Sequence, residues 1–540
     1  MTSPNAPDCA RTSASPSKGR SVNSETVPTG IGDRRSSGSR PFTGEEYLAS
    51  LRDGRTIYLN GEKVSDVVSH PAFRNTARSV ARLYDALHLD EHREVLTTPT
   101  NTGNGGYTHR FFRPAGSAAD VRAQRDAIAA WSRMTYGWMG RTPDFKAALT
   151  NTLGANSDFY GDFAENARRW HHWSQEAVPF INHAIVNPPV DRGRPAETVR
   201  DVYVRIDEEV DGGIIVSGAK VVATGAALSQ VSFVGQSGSS DAADPSMAVM
   251  FMMPMDSPGC TLICRTSYEL NATRAGSPFD YPLSSRFDEN DSILVLDKVF
   301  VPWENVLVYR DVDRVQRFYR ESGFMQGFCL QGCTRYAVKL DFMTGLVARA
   351  LSITGGDAFR GNQALLGEIV GLRNMFWALS DAMADGAQPW VNGTVLPNLQ
   401  SAFAYRVFAP DAFPRVREIV QKIVASALVY LPSSGADLLD EQIGPYLDRY
   451  VRGSNGVDAN ERIKIMKLLW DAVGTEFAGR HELYERNYAG NHEEVRLQCL
   501  RSAQGTGVMA SLDDLIEQCT HDYDEHGWRS EPWSAPILQQ

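Results

Sequence analysis

The chain of 540 residues carries 54 lysines and arginines against 65 aspartates and glutamates, which gives a formal net charge of -11. Because nucleic-acid binding needs a concentrated cationic surface, this charge disfavours DNA or RNA as the main partner. Hydrophobic residues make up 42% and charged residues 22% of the chain, as in folded proteins and unlike disordered or fibrous ones. We therefore expect a folded enzyme with a large core.

The same sequence predicts a cytoplasmic location. No stretch approaches the roughly 20 apolar residues that a membrane-spanning helix needs, and the N-terminus lacks the hydrophobic block of a secretory signal. The seven cysteines are sparse and odd in number, which fits reduced thiols better than a disulfide framework. We expect no contact with a membrane.

The predicted elements fall into four regions along the chain. Residues 1–40 are rich in Ser, Pro, Gly and Arg and are predicted to be a disordered tail. Residues 41–178 are mainly helical, with a long amphipathic run at 118–139. Short β-branched runs broken by Gly, Pro and Asp indicate a β-domain over residues 179–312, and helical periodicity returns over 313–540 as a C-terminal bundle.

This order of an N-terminal helical domain, a central β-barrel or sandwich and a helical bundle predicts an α+β fold. Together with the run VFVPWENV at residues 299–306, it resembles the acyl-CoA dehydrogenase-like architecture. The resemblance implies that a flavin lies between the β-domain and the bundle.

Two residues are candidates for chemistry, and each has a structural alternative. Arg141 lies between a glycine and a Thr-Pro step at the end of a helical run, so it either compensates the helix dipole or projects a cation into a cleft. His183 lies in an apolar segment before the β-domain, where it is either a packed histidine or an acid–base group. Taken alone, both residues fit the structural role better.

Other common sites are absent from the sequence. No group of His, Cys and carboxylate residues has metal-ligand spacing. There is no G-x-G-x-x-G fingerprint and no Walker A sequence, so the chain shows no means of binding a nicotinamide cofactor. Any reduced flavin must therefore come from elsewhere.

Six segments, in the same order, look like the oxygenase (large) component of 4-hydroxyphenylacetate 3-monooxygenase, a two-component FADH2-dependent phenol hydroxylase family. They are residues 43–48 (TGEEYL), 70–75 (HPAFRN), 136–144 (YGWMGRTPD), 182–189 (NHAIVNPP), 281–286 (YPLSSR) and 477–484 (FAGRHELY). The likeness extends from about residue 41 to about residue 528.

The resemblance implies a reaction and partners. In that family a separate NAD(P)H:flavin reductase supplies reduced FAD (FADH2), which reacts with O2 on the oxygenase to give a C4a-hydroperoxyflavin. The distal oxygen is then transferred to the carbon ortho to the hydroxyl of a para-substituted phenol, and the product is a catechol. The resemblance also implies a homotetramer.

By motif, Arg141 and His183 match the family's arginine and histidine at the substrate and peroxide site. A permanently charged guanidinium can hold a phenolate or a peroxide oxygen. A histidine can exchange the phenolic proton or donate a hydrogen bond. The resemblance thus assigns both residues to catalysis and substrate binding.

For FAD, the resemblance points to the segment after His183, to one threonine of the β-domain and to a segment of the bundle. These residues are Pro189, Val190, Asp191, Arg192, Thr224, Thr475, Glu476, Phe477 and Ala478. Residues 226–245, rich in Gly, Ser, Ala and Asp, are expected to be a mobile loop that closes over the substrate.

The substrate-binding residue Phe145 departs from the family pattern. The family has a tyrosine four residues after the arginine, and its hydroxyl contacts the phenol. Phenylalanine keeps the ring and removes a hydrogen bond of about 0.5 to 1.5 kcal/mol. The substrate is therefore open: 4-hydroxyphenylacetate, a coumarate, a tyrosine derivative or an aromatic tethered to a carrier protein.

Three alternatives remain beside the hydroxylase. An acyl-CoA dehydrogenase-type oxidoreductase would need a carboxylate base in the bundle and tightly held FAD. A dehydratase of the same architecture would need cysteines for an iron–sulfur cluster, and neither Arg141 nor Phe145 supplies a thiol. A non-enzymatic scaffold would leave the central motifs as packing.

Overall fold

The computed structural model describes residues 39–191, 193–194, 196–236 and 244–529. All but the last two residues of the predicted tail lie outside the described residues.

Sixteen α-helices occur in the described part of the chain. They are α1 (Gly44–Ser50), α2 (Arg74–Ala86), α3 (Asp90–Leu96), α4 (Ala118–Met134), α5 (Ala147–Ala155), α6 (Ala164–Ala177), α7 (Tyr268–Ala275), α8 (Val312–Glu321), α9 (Phe324–Thr354), α10 (Arg360–Asp385), α11 (Leu399–Val429), α12 (Gly444–Tyr450), α13 (Ala459–Val473), α14 (Glu476–Asn487), α15 (His492–Gly505) and α16 (Val508–His521).

The strands lie mainly between α6 and α8. They are β1 (Thr56–Leu59), β2 (Glu62–Lys63), β3 (Thr97–Pro99), β4 (Tyr107–His109), β5 (Ile181–Ala184), β6 (Arg205–Val210), β7 (Gly213–Lys220), β8 (Val231–Val234), β9 (Val249–Pro254), β10 (Cys260–Cys264), β11 (Ser292–Pro302), β12 (Val306–Tyr309), β13 (Gln388–Pro389), β14 (Val395–Leu396), β15 (Tyr523–Asp524) and β16 (Gly527–Trp528).

Two sheets form the centre of the molecule. One has the order β2-β1-β10-β11-β7-β6 and the other β12-β9-β8-β5. The N-terminal region contributes to the first sheet, because β1 pairs in parallel with β10. Among the described residues these sheets are open and do not close into a barrel.

The predicted α+β fold is confirmed, with helices before and after the central sheets. One hydrophobic core connects the three parts: it includes Trp131 of α4, Phe233 of β8 and Leu340 of α9. Each large apolar side chain in this core contributes about 1.5 to 3 kcal/mol by its burial.

The mobile-loop prediction for residues 226–245 is wrong for its first part. Residues Ala226–Leu228 form a buried 3-10 turn, and β8 is buried along its whole length inside the four-stranded sheet. The small residues that indicated a loop are packing residues there. Residues 237–243 of the predicted loop lie outside the described part of the chain.

Two predicted helices end earlier than their apolar periodicity indicated. Helix α4 stops at Met134 because Tyr136 and Gly137 adopt left-handed backbone angles, with φ of 55° and 74°. Within the predicted C-terminal bundle, the apolar periodicity predicts one helix over residues 460–477, but the structure divides this run into α13 and α14 at Gly474, and Thr475 caps the start of α14. Both interruptions lie beside the candidate site.

No helix in the ranges described here is long and apolar enough to cross a bilayer.

Candidate active site

Arg141 lies on the segment that crosses the bundle after α4. A Cβ atom at Gly137 would lie 2.5 Å from the backbone nitrogen of Lys339 in α9, so only glycine permits this close crossing. At Gly140 a Cβ atom would collide with the hydroxyl of Tyr484 in α14. The two glycines therefore hold Arg141 against the bundle.

A carboxylate fixes the backbone of Arg141. The amide of Arg141 donates a hydrogen bond to Oε1 of Glu289, and Oε2 of Glu289 accepts one from Arg480 of α14 at 3.3 Å. Glu289 is only 3% exposed. The β-domain and α14 thus both position the start of the GRTPDF segment.

The guanidinium of Arg141 lies among three aromatic rings. Its Cζ atom is 4.0 Å from the ring centre of Phe145, 4.8 Å from that of Tyr488 and 5.4 Å from that of Tyr484. Nε and Nη1 are buried and have no hydrogen-bond partner within the described ranges. Since buried donors are normally paired, these two are available to an acceptor on a ligand.

His183 faces the same phenylalanine from the sheet. It lies on β5, and its ring centre is 5.4 Å from that of Phe145. Nδ1 is buried without a hydrogen-bond partner among the described residues. Burial, and then the charges of Lys146 and Arg141, hold the pKa of His183 well below its usual range, so the imidazole is neutral at neutral pH.

The structure thus brings Arg141, Phe145 and His183 together, as the sequence predicted, and it adds Lys146. The side chain of Lys146 is fully buried, and its Nζ atom has no hydrogen-bond partner in the described part of the chain. Burial and the charge of Arg141 place the pKa of Lys146 well below its usual range. Lys146 was not predicted from the sequence. The one indication there is its position directly after Phe145, in a run of apolar and small residues.

A small cavity, with room for about one water molecule, lies beside Arg141. Phe180, Met139 and Gly225 line it, together with Glu289 and Asn290. Its lining is mainly apolar and includes the guanidinium of Arg141 with its unpaired donors.

Two of the segments predicted to bind FAD are connected by an ionic network. Thr224 donates a hydrogen bond to Asp291 at 2.5 Å, and Asp291 accepts hydrogen bonds from Arg480 of α14 at 2.9 and 3.0 Å. Arg265 is bonded to the same carboxylate at 3.0 Å. Thr224 thus lies close to α14, next to Gly225 of the cavity.

The start of α14 combines exposed and buried residues. Thr475 caps the helix by accepting a hydrogen bond from the amide of Ala478 at 3.2 Å, and Glu476 is exposed. Phe477 and Ala478 are buried, and the Phe477 ring centre lies 5.6 Å from that of Trp138. Their side chains therefore belong to the core.

The segment after His183 runs to the surface. Pro189, Val190 and Asp191 are exposed, and Asp191 has a left-handed φ of 44°. Arg192 lies outside the described residues.

The described residues contain no cluster of His, Cys, Asp and Glu that could hold a metal ion.

Comparison with known proteins assigns both halves of the chain. A family model described as the 4-hydroxyphenylacetate 3-hydroxylase N terminal matches residues 43–308, and the corresponding C-terminal model matches residues 315–517. The chain thus matches one class of protein, the aromatic hydroxylases. It belongs to the 4-hydroxyphenylacetate 3-hydroxylase family.

Two relatives illustrate the range of the family. The chain is 59% identical to the 4-hydroxyphenylacetate 3-monooxygenase oxygenase component of Pseudomonas aeruginosa, over 92% of this chain and 96% of the relative. It is 56% identical to the oxygenase component of a 4-nitrophenol 2-monooxygenase from Rhodococcus sp., over 91% of this chain and 94% of the relative.

Solved structures show the same fold. The oxygenase component of a 4-hydroxyphenylacetate 3-monooxygenase, complexed with FAD and 4-hydroxyphenylacetate, superposes with a TM-score of 0.81 at 30% identity, covering 88% of this chain and 99% of that chain. A 4-hydroxybutyryl-CoA dehydratase from N. maritimus reaches a TM-score of 0.78 at 22% identity, over 91% of this chain and 97% of that chain. The likeness to the dehydratase concerns the fold alone.

Proposed function

We propose that this chain is the oxygenase component of a two-component flavin-dependent monooxygenase, which hydroxylates a para-substituted phenol ortho to its hydroxyl to give a catechol. The observation that carries the proposal is the set of unpaired buried nitrogens of Arg141 and His183 around the ring of Phe145. The family of the chain and the FAD and 4-hydroxyphenylacetate of the solved relative support it.

Arg141 is proposed to hold the phenolic oxygen. Its two free N–H donors lie in a buried aromatic site, where the low local dielectric makes a hydrogen bond to an anion stronger than in water. The positive charge of Arg141 beside the phenolic oxygen stabilises the phenolate, which is more electron-rich at the ortho carbon than the neutral phenol. That carbon is the one that accepts the oxygen atom.

His183 is proposed to handle the phenolic proton. Because the imidazole is neutral, Nδ1 can accept the hydrogen bond of the phenolic O–H in the tautomer that leaves this nitrogen unprotonated. Phe145, Tyr484 and Tyr488 surround the site with apolar surface and limit the access of water.

Reduced FAD, when bound, supplies the activated oxygen atom from O2. The residues that would hold it are Thr224, the start of α14 at Thr475–Ala478 and the exposed stretch Pro189–Asp191, with Arg192 following. The residues around the small cavity between Gly225 and Arg141 suit the edge of a flavin ring by their chemistry, because they are largely apolar and include the guanidinium of Arg141. Phe477 and Ala478 would act through their backbone or as support.

We also propose a separate NAD(P)H:flavin reductase as the partner, since the sequence contains no nicotinamide-binding fingerprint. A cytoplasmic location is part of the proposal, and the six cysteines of the described ranges are all free, as in reducing compartments.

A homotetramer is the proposed assembly. Helix α16 has no buried residue, although Leu512, Leu515 and Ile516 follow helical spacing on it; their exposed fractions are 49%, 59% and 61%. Such an apolar helix face is typical of an interface between subunits.

The experiment that tests the function is a panel of para-substituted phenols with NADH, a flavin reductase and FAD. We expect catechols with a mass increase of one oxygen atom, formed only when this chain is present. Oxidation of NADH without any catechol from the whole panel would contradict the proposal. Arg141→Ala and His183→Ala should each suppress product formation while the circular dichroism spectrum stays unchanged.

A further inference from the structure

Lys146 carries a buried amine that the proposed reaction has not yet used. Its Nζ atom lies 4.5 Å from the ring centre of Phe145, 4.4 Å from that of Phe324 and 5.9 Å from that of Phe233. The side chain is 0% exposed. A lysine is rarely buried to this extent unless its amine is paired.

No acidic side chain pairs with Lys146 in the described part of the chain. Asp144 accepts a hydrogen bond from Thr142 through Oδ1 and has an unpaired Oδ2, and Glu289 binds the amide of Arg141 and the side chain of Arg480; neither carboxylate forms an ion pair with Lys146 in the described ranges. The three rings attract the amine when it is protonated, but they give it no hydrogen-bond acceptor. Its hydrogen bonds are therefore available to a ligand.

The sheet places Lys146 on the same side as His183. His183 and Phe233 are register partners in the parallel strands β5 and β8, so their side chains project from the same face. Lys146 contacts the ring of Phe233 and the ring of Phe145, and Phe145 in turn contacts both His183 and Arg141. Three groups with unpaired nitrogens thus surround one phenyl ring.

We propose that Nζ of Lys146 is a third donor of the reacting centre, which holds the charge of the ionised phenol together with Arg141 and His183. This inference rests on the proposed function. A tyrosine at position 145 would offer its own hydroxyl beside the phenol, whereas Phe145 offers none. In this chain the amine of Lys146 is the adjacent polar group that can donate a hydrogen bond to the phenol where a tyrosine hydroxyl would do so.

The test uses 4-nitrophenol, whose phenolate absorbs visible light and thus reports its own ionisation. The full chain is saturated with reduced FAD under anaerobic conditions, and bound 4-nitrophenol is titrated with acid. In the unsubstituted protein, bound 4-nitrophenol should stay ionised to a lower pH than free 4-nitrophenol in water. Lys146→Met should raise the ionisation midpoint of the bound phenol by about one pH unit, a tenfold change in the equilibrium.

Lys464→Met is the matched control, because Lys464 is an exposed lysine of α13. It should leave the midpoint unchanged. An unchanged midpoint in Lys146→Met would overturn the proposal. If the unsubstituted protein binds neither 4-nitrophenol nor any other phenol of the panel, the proposed function itself is contradicted, and with it the proposed role of Lys146.

Two further measurements separate this role from others. If Lys146 served only as a structural residue, Lys146→Met would lower the thermal midpoint of the flavin-free chain. We expect a higher midpoint, because methionine removes an unpaired buried amine and keeps the length of the side chain.

If Lys146 bound the para substituent instead, the loss of kcat/KM in Lys146→Met would be confined to phenols that carry a carboxylate. We expect equal losses for neutral and carboxylated phenols.

Discussion

At the scale of single residues, the site is organised around the ring of Phe145. Arg141, His183 and Lys146 all contact this ring, and each has a buried nitrogen without a partner among the described residues. A hydroxyl on the ring would occupy space beside these donors. The identity of residue 145 therefore affects both the binding of the phenol and the choice among phenols.

Phe145→Tyr tests this role. The added hydroxyl can pair with Nδ1 of His183 or with the guanidinium of Arg141 and can contact the phenolic oxygen. One additional net hydrogen bond of about 0.5 to 1.5 kcal/mol should lower KM for simple para-substituted phenols by about two- to tenfold. KM and kcat measured on the same phenol panel check the change. A higher KM for every phenol would show that the site has no room for a hydroxyl there.

The state of His183 predicts the pH dependence. The pKa of His183 lies well below its usual value because of burial and the charges of Lys146 and Arg141. The neutral form is the active one and is lost only as the pH falls through this lowered pKa. We expect kcat/KM to show no inflection near pH 6.5, where an unperturbed histidine titrates, and to fall only at lower pH.

A pH profile measured with excess reductase checks this prediction. An acid limb centred near pH 6.5 that disappears in His183→Asn would contradict a neutral imidazole at this position.

Among these residues, the sequence could predict Arg141, Phe145 and His183 because long motifs surround them. Their local patterns alone fitted structural roles, and the resemblance to a family changed that interpretation. Lys146 could not be predicted, because burial of a lysine without a partner depends on Phe233 and Phe324, which are distant in sequence. Pairing across such separations appears only in the folded chain.

At the scale of elements, α14 is connected to the β-domain through buried charges. Arg480 binds both Asp291 and Glu289, and Asp291 also accepts hydrogen bonds from Arg265 and Thr224. Burial alone would raise the pKa of Asp291, but the charges of Arg480 and Arg265 hold it well below its usual range. The network fixes the helix that carries Tyr484 against the segment that carries Arg141.

Asp291→Asn should destabilise the fold by about 3 to 5 kcal/mol, because it leaves Arg480 without its closest carboxylate in a buried environment. Asp297→Asn, an exposed change on β11, the strand that begins directly after Asp291, is the control and should be neutral. Chemical denaturation of the flavin-free chain measures both. A loss below about 0.5 kcal/mol for Asp291→Asn would be typical of a surface position and would contradict the network's role.

The same network predicts how stability depends on pH. Because the pKa of Asp291 is lowered in the folded state, its contribution is complete above the unfolded pKa of about 3.9 and is lost as the pH falls below it. The stability difference between the unsubstituted chain and Asp291→Asn should therefore shrink in acid. A difference that grows on acidification would contradict the assignment.

The order of elements was predictable from periodicity, because long helices and short β-branched strands have different repeats. The positions at which these elements end or are interrupted could not be predicted from periodicity. Helix α4 ends early through the left-handed angles of Tyr136 and Gly137, and the small residues before β8 form a buried turn although their composition is typical of loops. Tertiary packing decided both.

At the scale of the whole molecule, α16 is the clearest sign of assembly. Its apolar side chains Leu512, Leu515 and Ile516 are exposed in the single chain, and a proposed subunit interface accounts for them. Leu515→Glu with Ile516→Glu should reduce the molar mass in solution from that of a tetramer to smaller species. Light scattering coupled to size-exclusion chromatography checks this outcome.

The control is Asp513→Ala with Asp514→Ala, two exposed polar positions of the same helix, which should leave the mass unchanged. A monomer already in the unsubstituted protein would contradict the proposed tetramer.

The most direct test of the central claim follows the oxygen atom. The full chain is mixed anaerobically with chemically reduced FAD and 4-hydroxyphenylacetate or another phenol accepted in the panel, and labelled oxygen gas (18O2) is then added without any reductase. The account predicts a catechol that carries one labelled oxygen atom in each product molecule. Unlabelled catechol, or oxidation of the flavin with no catechol from any phenol of the panel, would contradict it.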